Sequence, residues 1–209
     1  MKIFISGIDT DAGKSYATGF LARHLADKGK DVITMKFIQT GNHEFSEDID
    51  VHRKLMGCGL LPDDLDHTTA PVIFSYPCSP QLAARIDNRD IDLSVIDAAA
   101  DRLDSNHDVV LIEGAGGLMV PLTDDFLTID YPLTRHLPVA LVTNGRLGSI
   151  SHTLLALDAL KRRDMELAYL LYNTHFDADK VIVDDTRAFL RRYLDRNFKT
   201  AEWLDIPSL

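Results

Sequence analysis

Residues 7–15 read Gly-Ile-Asp-Thr-Asp-Ala-Gly-Lys-Ser. The segment lies between Lys2–Ser6 (KIFIS), a β-branched and aromatic run, and Lys14–Lys28, a helical pattern stopped by Gly29. A glycine-bounded loop that leaves a strand and opens a helix on Gly-Lys-Ser has the context of a phosphate-binding loop. Backbone N–H groups near Gly13, Lys14 and Ser15 face an anion and carry the positive end of the helix. Gly13 lets the backbone approach phosphate without a Cβ. Lys14 can neutralise charge on the β- and γ-phosphates, and the Ser15 hydroxyl can ligate Mg²⁺. Five residues separate Gly7 from Gly13, a longer spacing than the common motif.

Outward from this loop the chain repeats strand, loop, helix. Asp31–Ile38 (DVITMKFI), Val109–Ile112 (VVLI), Val139–Thr143 (VALVT) and Leu167–Tyr172 (LAYLLY) are apolar runs that read as strands. Ser79-Pro80 reads as an N-cap followed by proline at the first helical position. Leu93, Ile96, Ala100 and Leu103 fall on one helical face. So do Ile150, Leu154, Leu157 and Lys161, and again Ile182, Thr186, Phe189 and Tyr193. This order predicts an α/β fold: a three-layer, doubly wound, mostly parallel sheet of P-loop NTPase type, with residues 1–209 as a single domain. Ligands bind beyond the C-terminal strand ends of such sheets, so the loops after Ser6, Ile38, Ile112, Thr143 and Tyr172 are expected to carry the chemistry.

Two of those strand ends hold charge. Glu113 follows Val109–Ile112 and runs into Gly114–Gly117, the place of an acid that supports Mg²⁺ beside glycines that leave room for a ligand. Lys36 interrupts an apolar strand and is expensive to bury unless its ammonium has anionic company. Of Asp48 and Asp50 in SEDIDVH, one is expected to be a second Mg²⁺ ligand and the other an acid at a helix N-terminus. The eight histidines show no metal spacing, and His24 and His52 read as helix-surface residues. His152 lies close to the loop after Thr143, within reach of a ligand or packed as a structural residue.

Composition bounds the partners. The chain has 22 Lys+Arg against 32 Asp+Glu, a net charge of −10. That balance argues against nucleic acid or an anionic membrane surface as a partner. No apolar run approaches the ~18–20 residues of a membrane span, and no basic segment precedes a long apolar run at the N-terminus. Cys58 and Cys78 read as two ordinary thiols of a reducing cytoplasm.

Taken together, GIDTDAGKS, KFIQTG (36–41), YPCSPQLAA (76–84), EGAGGLMVPL (113–122) and LPVALVTNGRLGSISH (137–152) resemble the dethiobiotin synthetase family, in order and over nearly the whole chain. The resemblance implies a ligase of biotin biosynthesis. It would join CO₂ to 7,8-diaminononanoate at the expense of ATP, giving dethiobiotin, ADP and phosphate. It implies Lys14, Lys36 and Thr10 as catalytic residues. Asp11, Ala12, Gly13, Lys14, Ser15, Tyr16, Glu113 and Asn173 would bind the nucleotide, with Asn173 reading its base. Thr40, Gly116, Gly117, Gly148, Ser149 and Ser151 would bind substrate, the last three near its carboxylate tail across a homodimer interface. Ser15, Asp50 and Glu113 would hold Mg²⁺. Two features depart from the family. Phe37 stands where the family usually has proline. The stretch Asp205–Leu209 (DIPSL) matches only the start of a family segment beside the adenine, so weaker discrimination among nucleoside triphosphates is expected. The alternative on the same fold is a nucleotide-switch ATPase of the partitioning or metal-insertion type. Such proteins often carry an extra lysine early in the loop, where this chain has Ile8 and Asp9.

Overall fold

The computed structural model describes residues 1–208. β1 (Lys2–Gly7) leads through the glycine loop into α1 (Lys14–Ala26), then β2 (Val32–Lys36), β3 (Gln39–Thr40), α2 (Glu47–Met56), α3 (Pro62–Leu65) and β4 (Ile73–Phe74). α4 (Pro80–Ile86), α5 (Leu93–Asn106), β5 (Val109–Gly117), α6 (Asp130–Thr134), β6 (Val139–Asn144) and α7 (Ser149–Arg162) follow. β7 (Leu167–Asn173), a 3₁₀ turn at Thr174–Phe176, α8 (Lys180–Asn197) and β8 (Glu202–Ile206) complete the chain.

The main sheet has the order β2-β5-β1-β6-β7-β8, and every neighbouring pair is parallel. β1 is flanked by β5 and β6. The chain leaves β1 toward β2, returns to β5, then crosses to β6 on the other side, so the topological switch point lies beside β1. The glycine loop opens there.

Both faces of the sheet are covered, which is why its strands read as continuous apolar runs. On one face Ala17, Leu21, Ala22 and Leu25 of α1 pack on Ile3, Ile5, Leu111 and Val142. On the other, Ile96, Ala100 and Leu103 of α5 pack near Phe4, Val110 and Ile112, while Leu157 of α7 and Leu190 of α8 cover Leu141 and Leu170. The buried stripes of α7 (Ser149, Thr153, Leu157, Leu160) and α8 (Val183, Thr186, Leu190, Leu194) lie about one residue from those read in the sequence. Ile150, Leu154, Ile182, Phe189 and Tyr193 are half-buried flanks. A helix on a sheet buries an arc wide enough that adjacent stripes both look apolar. Lys161 is exposed and donates to Asn197 Oδ1 at 2.8 Å.

Other boundaries also differ. α1 ends at Ala26, two residues early, because Gly29 adopts φ +83° and the chain folds back, with Lys30 N–H donating to the Leu25 carbonyl. Asp31–Ile38 is not one strand: β2 stops at Lys36, and Gln39–Thr40 begins a separate two-stranded parallel sheet with Ile73–Phe74. Phe37 lies between them. Its N–H donates to the Glu113 carbonyl at 2.8 Å, a bond that the family's usual proline has no N–H to make. Its ring packs edge-on to Phe4 at 5.5 Å and against Tyr131 at 4.5 Å. Asp205 and Ile206 belong to β8, where Thr174 Oγ1 donates to the Ile206 carbonyl; Leu209 lies outside the described residues.

α2 and α3 are tied by a buried ion pair. Arg53 donates to Asp64 through Nε at 2.8 Å and Nη2 at 2.7 Å, and Asp64 also accepts from the Leu61 N–H and the Thr69 hydroxyl. Burial by itself would raise the Asp64 carboxyl, but these bonds outweigh it and hold it below its ordinary 3.8. A depressed folded-state value contributes stability that is present above the unfolded value and lost as pH falls through the folded one. The deficit of Asp64→Asn relative to the parent, measured by urea unfolding, is therefore expected to be largest near neutrality and to shrink below pH 3.8. A deficit that stays constant with pH contradicts this account.

Candidate active site

The loop after β1 is braced from several sides. Ile8 N–H donates to the Val142 carbonyl at 3.0 Å, and Arg146 Nη2 donates to the Asp11 carbonyl at 2.8 Å. Asn173, buried at the end of β7, donates through Nδ2 to the Ala12 carbonyl at 3.1 Å. Gly13 has φ +86°, and a Cβ there would lie 2.2 Å from Asn173 Nδ2. Backbone conformation and close approach both require glycine at this position.

Lys14 opens α1 and is 5% exposed. Its Nζ donates to the carbonyls of Thr10 at 2.9 Å and Asp9 at 3.1 Å, so the side chain curls over its own loop. Burial pushes its ammonium below the usual lysine range, while the charges of Glu113 and Asp48 work against that. Ser15 Oγ is 2.6 Å from Asp48 Oδ1 and 3.0 Å from Glu113 Oε1.

Lys36 has the anionic company that its sequence position demands. Its Nζ is 2.5 Å from Asp48 Oδ2 and 2.7 Å from Glu113 Oε1. Burial opposes its charge, but the two carboxylates outweigh that and raise its pKa. Glu113 is the reverse case. Burial would raise it, yet Lys36 and His52 hold it well below the carboxylate range. Lys36 thus meets both carboxylates of the site and is already neutralised, whereas Lys14 is held only by carbonyls. The pull on an anion comes from Lys14, the loop N–H groups and any cation held by the acids.

These side chains line a cleft of about 450 Å³, with Thr10, Asp11, Gly13, Tyr16, Thr40 and Gly116 completing its predicted members. Gly117 lies in an adjoining cleft with Gly7, Asp9, Met119, His152 and Leu155, and Thr10 belongs to both. Ala12 is buried within the loop and Asn173 is buried behind it. Gly148, Ser149 and Ser151 stand at the start of α7 and line neither cleft; Gly148 and Ser151 are exposed, and Ser149 is buried.

Asp50 is a correction. It is exposed, and Asp48 is the acid in the cleft. A helix advances about 100° per residue, so acids two apart face nearly opposite ways. His52 is a second correction: it is fully buried, with Nε2 2.6 Å from Glu113 Oε2. The signal available in the sequence was the four-residue step from Asp48, which puts both on one helical face.

Among the described residues no three His, Cys, Asp or Glu side chains are grouped to hold a metal. The donors present are two carboxylates and a hydroxyl, all hard oxygens. That set fits Mg²⁺, which keeps several waters and takes further ligands from substrate phosphates.

A family model described as an AAA domain matches residues 1–198. A Pasteurella multocida protein named ATP-dependent dethiobiotin synthetase BioD 2 is 46% identical, over 92% of this chain and 91% of its own length. The Haemophilus ducreyi protein of the same name is 46% identical, over 97% of this chain and 96% of its own. A Chlorobaculum tepidum ATP-dependent dethiobiotin synthetase BioD reaches 48% over 90% and 81%. Among solved structures, an Aquifex aeolicus MinC:MinD cell division protein complex matches with a TM-score of 0.57 at 14% identity, over 99% of this chain and 81% of that one. A Borrelia burgdorferi putative plasmid partition protein matches at 0.54 and 14%, over 96% and 85%. At such identities the likeness speaks for the fold. Sequence identity near one half along almost the full length speaks for more: the chain belongs to the ATP-dependent dethiobiotin synthetase family.

Proposed function

We propose that this protein closes the ureido ring of dethiobiotin from 7,8-diaminononanoate, CO₂ and ATP. The observation that carries the reading is the convergence of Lys14, Lys36, Ser15, Asp48 and Glu113 on one cleft at the sheet's switch point. One substrate amine adds to CO₂ and releases a proton, leaving a carbamate. A carbamate oxygen attacks the γ-phosphorus, and the bond to the ADP oxygen breaks. The second amine attacks the carbonyl of the mixed anhydride. Phosphate departs with the carbonyl–oxygen bond pair, and the amine's proton goes to solvent.

Each residue has a defined task in this scheme. The N–H groups around Gly13 bind the phosphates, and Lys14 swings from its loop carbonyls to the transferring phosphoryl group. Lys36 stabilises charge where carbamate and phosphoryl meet. Thr10, shared by both clefts, touches the carbamate region. Thr40, Gly116 and Gly117 border the diamine. Ser15, Asp48 and Glu113 would hold Mg²⁺, which when bound neutralises phosphate charge. Asn173 stands where a base reader is proposed, although its Nδ2 is here engaged by Ala12. A homodimer is part of the proposal, supported by the exposed apolar side chains of Met119 and Leu155 in the second cleft. Gly148, Ser149 and Ser151 would then meet the substrate tail across the interface. The proposal includes a cytoplasmic location, which the free thiols of Cys58 and Cys78 suit.

Incubation with ATP, Mg²⁺ and bicarbonate tests this reading. ADP release is expected to require the diamine and to accompany a product with the mass of dethiobiotin. Release at the same rate without the diamine points to a switch ATPase instead.

A further inference from the structure

His52 sits on α2 with both ring nitrogens engaged inside the protein. Nε2 is 2.6 Å from Glu113 Oε2, and Nδ1 is 3.0 Å from the Thr34 hydroxyl. A leucine would fill such a site without desolvating two polar atoms, so the imidazole is there for its hydrogen bonds. Glu113 divides its oxygens between two sides. Oε1 meets Lys36 and Ser15 at the cleft, and Oε2 meets His52 behind it.

We propose that His52 is a positioning residue, which anchors Glu113 Oε2 and thereby fixes the carboxylate plane that presents Oε1 to the nucleotide cleft. The inference rests on the proposed role of Glu113 in holding Mg²⁺.

Donor and acceptor chemistry sets the direction of each bond. Arg53 Nη1 donates to the Thr34 hydroxyl oxygen at 2.8 Å, since a guanidinium has no acceptor. The Glu113 carboxylate only accepts, so His52 Nε2 carries a proton and donates to it. In the neutral ring Nδ1 is then bare and accepts a hydrogen bond from the Thr34 hydroxyl. Arg53 is itself clamped by Asp64. A buried series, Asp64–Arg53–Thr34–His52–Glu113, thus runs from α3 across β2 to β5. Such a network allows one orientation of its terminal carboxylate. Ligand-orienting partners of this kind typically change metal affinity or activity by ~10–100-fold when removed.

His52→Leu and His52→Gln separate positioning from packing. ADP binding is followed by calorimetry across a Mg²⁺ titration and in EDTA. His52→Leu is expected to raise the half-saturating Mg²⁺ concentration by ~10–100-fold and to leave ADP affinity in EDTA unchanged. His52→Gln, whose amide N–H can reach the same oxygen, is expected to recover most of the loss. A wild-type Mg²⁺ titration in His52→Leu overturns the proposal, as does a His52→Gln protein equally impaired. Long-range ¹H–¹⁵N spectra of the unsubstituted protein provide a reading that needs no variant to fold. A proton on Nε2 supports the proposal, and a bare Nε2 overturns it. If ADP binding to the unsubstituted protein ignores Mg²⁺, the metal reading of Glu113 fails and takes the inference with it. If that binding responds to Mg²⁺ and His52→Leu responds to it identically, the inference alone fails.

Discussion

Lys36→Met is expected to lower dethiobiotin formation by ~10²–10³-fold, the loss seen when one preorganised charge stabiliser is removed. The same substitution is expected to destabilise the nucleotide-free protein by ~3–5 kcal/mol, because it strands buried charge. Methionine keeps most of the length and volume of the side chain and removes only the ammonium. That ammonium lies 2.5 Å from Asp48 Oδ2 and 2.7 Å from Glu113 Oε1. Without it, two carboxylates share a buried corner with no cation between them. The two consequences separate experimentally. Mg²⁺ can supply the missing charge to the acids, so it should recover part of the unfolding free energy. It should not recover turnover, since the ammonium no longer faces the carbamate and phosphoryl oxygens. Urea unfolding with and without Mg²⁺, beside initial rates, reads both. Parental stability without Mg²⁺ contradicts the structural half of this expectation, and near-parental turnover contradicts the chemical half.

Lys14→Ala is the second large effect, again ~10²–10³-fold in turnover, with a different stability signature. Lys14 is bonded to the carbonyls of Thr10 and Asp9, not to a carboxylate. Burial already disfavours its charge. Removing it therefore strands no anion, and the nucleotide-free protein should unfold close to the parental urea midpoint. The lost turnover reflects phosphoryl charge left without its cation. A variant that turns over like the parent removes Lys14 from the proposed mechanism. One that unfolds as readily as Lys36→Met contradicts the distinction drawn between the two lysines.

The fold was legible because its strands are buried on both faces. VVLI and VALVT contain no charge and KIFIS carries only Lys2 at its start, and only a parallel sheet between helix layers accommodates several such runs in alternation with helices. β8 escaped notice for the opposite reason. It is an edge strand, and Glu202 and Asp205 break its apolar character. Within the site, Lys36 could be read because a lysine in an apolar run needs anions nearby, and Glu113 because an acid directly follows the apolar run Val109–Ile112. Asp48 and Asp50 could not be ordered. Their choice depends on the rotation of α2 about its axis, set by tertiary packing of Ile49, His52 and Arg53. The role of His52 was hidden by the same rotation, since its partners Thr34 and Glu113 are 18 and 61 residues away. The −10 charge gave no warning that the cleft itself pairs Lys36 with two carboxylates.

The central claim is that this cleft transfers the γ-phosphoryl group to a carbamate oxygen. Rapid mixing of the enzyme, ATP, Mg²⁺ and diamine with ¹⁸O-labelled CO₂ in unlabelled water tests it most directly, with phosphate analysed by mass before the label exchanges with solvent. A carbamate oxygen that takes the phosphoryl group leaves with the phosphate, so one ¹⁸O per phosphate is the predicted result. Phosphate without label, formed together with ADP, shows that water or another acceptor took the group and contradicts the account.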